Sequence, residues 1–298
     1  MHAPMKTALL LGTALVLSGN ASRQPAVGDL GKVGTVRFEY SCEKKSKKDF
    51  QDAVALLHSF FYEEAHKRFA SVVEKDPSCA LGWWGMSATH YHPLWSPPSP
   101  AELEEGAKEA AKGLALAKSE KDKAWLGTLS AYYGAPEGTG TAAPSCHGPG
   151  PDPKGRAAAW QKAMEAMRSK WPKDDEVLAF HALSLLATAS PDDKTRANQL
   201  RAAESLEDLF RREADHPGAA HYLIHAYDWP ELATKGLPAA RSYSKIAPFV
   251  PHVQHMPGHI FTRLGMWDET IARNLSSADA GRAYAVKNHP DATGFEEL

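Results

Sequence analysis

The 298-residue chain is predicted to be all-α, an α-solenoid of stacked helical hairpins. Three observations lead there. Apolar residues recur at three- and four-residue spacings over Ala-rich stretches, the period of one helix face. Short connectors carrying proline and capping residues separate these stretches. Sliding the chain against itself by 34 residues sets Pro217 on Pro251, His221 on His255, His225 on His259 and Tyr227 on Phe261, an internal repeat. One hairpin cannot bury its apolar face alone, so stacking several is what would stabilise the array. With 43% hydrophobic and 23% charged residues the chain is too apolar for a disordered one. Its 34 basic and 36 acidic residues leave a net charge of −2, which argues against a nucleic-acid partner.

Residues 1–21 read as a signal peptide: a basic Lys6, an apolar run from Ala8 to Leu17, then small polar residues to a cleavage point at Ala21. The expected location is therefore exported, periplasmic or extracellular. The apolar run falls short of the roughly 20 residues that span a bilayer, so no membrane span is expected. Residues 22–46 form an irregular N-terminal strap with a strand-like stretch at Thr35 to Tyr40. The helical array occupies residues 47–298. Its first apolar series, Phe50, Val54, Leu57, Phe61, Ala65, Phe69 and Val72, ends at Asp76-Pro77, and a second helix runs from Cys79 to about His92. Ser99 caps a third, with Pro100 in its first turn and Glu102 completing a capping box. Residues 134–155 contain 11 Gly or Pro among 22 and read as a long surface loop, in which Cys146-His147 is an incidental pair. Ser190-Pro191-Asp192-Asp193 repeats the start signal ahead of a helix to about Ala214. Trp83-Trp84, Trp95 and Tyr132-Tyr133 read as packing between helices. Of the three cysteines, Cys42 and Cys79 are placed to pin the strap to the first helical pair through a disulfide in an oxidising compartment, the alternative being three unpaired small residues.

The stretch from Phe50 to Pro77 resembles the helix-turn-helix unit of tetratricopeptide repeats, with Ala65 where two helices cross, Phe69 one turn on and a closing Pro77. Arg263-Leu264-Gly265-Met266-Trp267 looks like that family's inter-helix turn. The blocks ALLHSFFYEEA (55–65), DPSCALGWWG (76–85), HPLW (92–95), HYLIHAYD (221–228) and PHVQHMPGHIFTRLG (251–265) together resemble a group of secreted bacterial tetratricopeptide repeat proteins, over about residues 38–285. The resemblance implies a solenoid whose first helices line a concave face that binds a peptide, a protein or a small-molecule ligand. It implies no reaction.

Six of the 14 histidines, His216, His221, His225, His252, His255 and His259, fall within 44 residues, where an even spread places about two. At 100° per residue His221, His225 and Asp228 share one helical stripe, and His252, His255 and His259 share another. Equivalent helices of neighbouring repeats lie about 10 Å apart, close enough for the two stripes to meet. Neutral imidazoles and a carboxylate suit a divalent transition metal, with zinc, copper and iron all compatible. Asp228 would either ligate or orient a ligating histidine. Pro257 threatens the second stripe, because a proline inside a helix removes a hydrogen bond. Tyr222, Trp229, Arg263, His92 and His181 are the candidate ligand contacts around the groove. The histidines would alternatively serve inter-helix packing or an anionic-peptide groove.

Three functions are thus expected in turn: a metal-binding scaffold, a metal-dependent enzyme, hydrolase or oxidase-like, using the same cluster, or a plain protein-interaction adaptor without metal. Neither HxxxH carries the Glu of HExxH, and phosphate-loop, nucleophile-elbow and dinucleotide signatures are absent.

Overall fold

A computed structural model describes residues 31–134 and 152–289. The expected signal peptide, the start of the strap, nearly all of the 134–155 loop with Cys146 and His147, and residues 290–298 lie outside the described residues. The described chain is all-α. A short 3-10 turn at Lys44–Ser46 leads into α1 (Lys47–His58), α2 (Tyr62–Lys75), α3 (Ala80–Thr89), α4 (Pro100–Leu116), α5 (Glu120–Tyr133), α6 (Pro153–Lys170), α7 (Asp175–Ala187), α8 (Ala197–Arg212), α9 (Pro217–Tyr227), α10 (Ala233–Tyr243), α11 (Pro251–His255), α12 (Pro257–Arg263) and α13 (Trp267–Asn288). Among the described residues no helix is long and apolar enough to cross a membrane.

The local start signals act in different ways. Ser99 accepts the Glu102 N–H while Glu102 accepts the Ser99 N–H, so the capping box closes as expected. Ser190 and Asp193 instead fold a turn: Ser190 Oγ accepts the Asp192 N–H, and Asp193 Oδ1 accepts the Thr195 N–H. The helix then waits until Ala197, behind Arg196 in the left-handed region at φ 56°. The first apolar series is also two helices, broken at Ser59–Phe61, where Phe60 turns the chain at φ 55°.

The stretch Thr35 to Tyr40 is not a β-strand. Its alternation is real, with Val36 and Phe38 buried and Arg37 exposed, but no second strand pairs with it among the described residues. Side chains and a loop carbonyl satisfy its backbone instead: Gln51 accepts the Phe38 N–H and donates to the Phe38 carbonyl, Glu176 accepts the Arg37 N–H, and the Asp215 carbonyl accepts the Thr35 N–H. A disulfide joins Cys42 to Cys79 at the foot of this strap.

Most consecutive helices pack on one another, and helices further apart in the chain touch as well: α1 with α3, α3 with α5, α7 with α9, α9 with α12. These first helices form an inner layer. Contact between α1 and α9 closes that layer on itself. Its centre is filled by Trp84, Trp125 and Phe180, whose rings lie 5.2–5.6 Å apart, and Phe38 from the strap packs 4.8 Å from Trp125. Aromatic side chains thus fill the space between these helices. A cleft opens where the first pair meets the last helices.

Candidate metal centre

His216 opens α9 by accepting the Ala219 N–H on its Nδ1, and Pro217 supplies the first helical position. One turn separates His221 from His225, so both face the same way. Pro251 opens α11 in the same manner, putting His252 in its first turn. Pro257 does not disrupt the stripe: Met256 keeps helical angles (φ −54°, ψ −38°), so α12 continues the rod of α11. His252, His255 and His259 remain on one side.

The six expected ligands separate into two groups. In the first, His221 Nε2 lies 3.1 Å from His225 Nε2 and 3.0 Å from His252 Nε2. His221 is fully buried, and its Nδ1–H donates to the His58 carbonyl at 2.7 Å, which leaves its Nε2 with a single lone pair. Two imidazole nitrogens press on that one lone pair, and only one can donate to it. A cation shared by all three would resolve the conflict. Metal–nitrogen bonds of about 2.0–2.1 Å at tetrahedral angles hold ligand nitrogens about 3.3 Å apart, close to what is seen. Burial, reinforced by the neighbouring histidines, pushes all three imidazoles well below their ordinary range, so they stand as neutral donors. The carbonyl behind His221 is the kind of second hydrogen bond that orients a ligating histidine.

In the second group, His255 and His259 bring their Nε2 atoms to 3.0 Å, with Asn274 on the Nδ1 of His255 and Asp228 on the Nδ1 of His259. Asp228, just past the end of α9, spends its other oxygen on Arg263 Nε at 2.8 Å. Burial alone would raise the Asp228 pKa, but the bonds from His259 and Arg263 hold it below the carboxylate range. Both oxygens are thus engaged, and Asp228 orients rather than ligates. The His255 ring lies 6.3 Å from that of His252, so the pair adjoins the trio.

A cleft of about 530 Å³ reaches the trio at His252 and is walled by Phe60, Tyr62, His92, Trp95 and Tyr284. His92 therefore faces the cleft. Trp95, expected in the core, is 46% exposed on this wall, its ring 4.9 Å from His252. Tyr222 is no ligand contact: it is fully buried, and its hydroxyl donates to His58 Nδ1. Trp229 is covered by the Arg196 guanidinium, 3.3 Å above its ring, and His181 lies toward Glu165 and Arg201. Neither reaches the histidines. Arg263 acts through Asp228.

Phe60 is the residue that sequence reasoning missed. Its ring meets His221 edge-on at 4.4 Å and stacks over His252 at 5.5 Å, while its backbone occupies the left-handed region. Such a conformation costs about 1–2 kcal/mol for a non-glycine residue and is tolerated only where packing over-determines it. Its place in the sequence, inside an unbroken apolar period, carries no sign of this. No protein-family model matches the chain, and no curated protein matches it.

Proposed function

We propose that the chain is an exported tetratricopeptide-type binding protein that holds one divalent transition metal, zinc, copper or iron, on His221, His225 and His252, and presents it to a peptide or small ligand in the adjoining cleft. The observation that carries this reading is the meeting of two Nε2 atoms on the one lone pair of buried His221, which hydrogen bonds among the three rings cannot satisfy. Support for export is the leader-like start of the sequence together with the disulfide. The repeat assignment rests on the 34-residue duplication and the succession of hairpins.

A second reading, a metal-dependent enzyme, is favoured by the cleft at His252. Three protein ligands leave a coordination position open, and a metal so held supplies Lewis acidity, or redox chemistry if it is copper or iron. His255, His259 and Asp228 stand next to it as groups able to move a proton.

The test is elemental analysis of tag-free protein beside the His225→Ala/His252→Ala variant. Loss of about one metal equivalent in the variant is the expected result. Equal metal in the two proteins would overturn the assignment. The metal found then selects the assay, hydrolysis for zinc and oxygen-dependent turnover for copper or iron.

A further inference from the structure

Hydrogen-bond accounting separates two other histidine-carboxylate clusters in this protein. At Glu176 the accounting closes. Its carboxylate accepts from His58 Nε2 at 2.8 Å, from the Arg37 N–H at 3.1 Å and from His216 Nε2 at 3.3 Å. The remaining nitrogens are taken too, since His58 Nδ1 accepts from Tyr222 and His216 Nδ1 accepts from the Ala219 N–H. No donor or acceptor is left for a ligand.

Three residues of the first two hairpins form the same kind of cluster: His66 on α2, His90 at the end of α3 and Glu109 on α4. One ring nitrogen from each histidine and one Glu109 oxygen lie within 4.8 Å of one another. Here the accounting does not close. The Glu109 side chain is only 4% exposed, yet its Oε2 accepts no hydrogen bond. His90 Nε2 is 3.2 Å away but is not aligned to donate, and it too is buried without a partner. His66 is held ready: the Thr89 hydroxyl gives its proton to the Met86 carbonyl at 2.6 Å, so its oxygen accepts the His66 Nδ1–H at 2.8 Å, and the other His66 nitrogen keeps a lone pair. A buried carboxylate oxygen with no proton donor and an unpartnered imidazole nitrogen 3.2 Å away point to a missing cation.

We infer that His66, His90 and Glu109 form a second metal site, separate from the His221 centre, for a divalent ion of the zinc class. Two imidazoles and a carboxylate are a zinc donor set, and bonds of about 2.0–2.2 Å place donor atoms roughly 3.0–3.5 Å apart, which the His90–Glu109 separation meets. The ion ties α2, α3 and α4 together, so its binding is coupled to the stability of the first two hairpins.

The experiment uses the tag-free full chain, stripped with chelator and titrated with zinc while stoichiometry and thermal midpoint are read. Wild type takes up two equivalents. His66→Gln and Glu109→Gln each remove one, or weaken it at least tenfold, and shrink the upward shift in midpoint that zinc produces. In the His225→Ala/His252→Ala background a single equivalent remains, and His66→Gln abolishes it. Unchanged stoichiometry and affinity in His66→Gln, in either background, would overturn the site. The fate of the His221 centre is read separately, from the His225→Ala/His252→Ala protein alone. Should Glu109→Gln fail to fold, His66→Gln decides the matter, because His66 is only half-buried and glutamine can keep the Thr89 contact.

Discussion

Asp228 shows how one side chain's partners decide its role. Both of its oxygens are committed, to His259 and to Arg263, and neither belongs to the trio of nitrogens. Asp228→Asn should therefore keep the metal equivalent bound by His221, His225 and His252, whereas His252→Ala should lose it. Metal content after gel filtration distinguishes the two, and a depleted Asp228→Asn protein would restore Asp228 as a ligand. The sequence showed the histidine stripes because helical spacing is a backbone property that any HxxxH run displays. It did not show which members of each stripe meet. That depends on the approach of His252 to His221, on the His58 carbonyl and on the Phe60 ring, all set by contacts between residues far apart in the chain. Tyr222 fails as a ligand contact for the same reason, since only the approach of α1 to α9 turns its hydroxyl toward His58.

At the scale of elements, caps and apolar periods were legible where the signal is local. Ser99 and Glu102 are three residues apart and satisfy each other whatever the rest of the molecule does. Ser190 sends the same signal, but its neighbours offer a competing turn through Asp193 and Thr195, and the turn wins. The packing between α2 and α3 was not legible. Gly85 on α3 lies against Phe69 of α2 so closely that an added Cβ would stand 2.1 Å from Phe69 Cδ1. Phe69 is fully buried and has nowhere to withdraw. Gly85→Ala gains about 1 kcal/mol of helix propensity, but overpacking a filled core costs about 1–3 kcal/mol or more, and at this contact the steric term should win. A lower urea midpoint than wild type with an unchanged slope is expected. A raised midpoint would mean that the two helices can separate without loss.

For the molecule as a whole, the decisive feature is the joining of its two ends. Glu176 on α7 gathers the strap through Arg37, the first hairpin through His58 and the entry to α9 through His216, so three distant segments share one buried carboxylate. Tyr284 of α13 adds a second tie by donating to Glu64 of α2. Repeat periodicity describes neighbours and says nothing about such closure, so the sequence carried no sign of it. Burial opposes the charge on Glu176, yet the electrostatic attraction and hydrogen bonds of the His216 and His58 imidazole N–H groups outweigh it and hold the carboxyl well below its usual range. Burial also depresses the His58 pKa. Both groups then have the same sign of linkage: a depressed folded-state pKa contributes stability that is present above the unfolded value and is lost as pH falls through the folded one. Stability should decline first below about pH 6.5, where the unfolded state begins to take up the His58 proton, and more steeply below about pH 4.3, where the Glu176 contribution starts to go. Glu176→Gln should cost roughly 3–5 kcal/mol at neutral pH, because an amide presents an N–H to a ring nitrogen already donating and removes the buried charge that the cluster is built around. The difference between wild type and Glu176→Gln, measured as urea midpoints from pH 7 to pH 3, should narrow as the acid limit is approached. Two parallel curves would show that the carboxylate's charge contributes nothing to closing the array, and that aromatic packing on Phe38 and Phe180 alone holds the ends together.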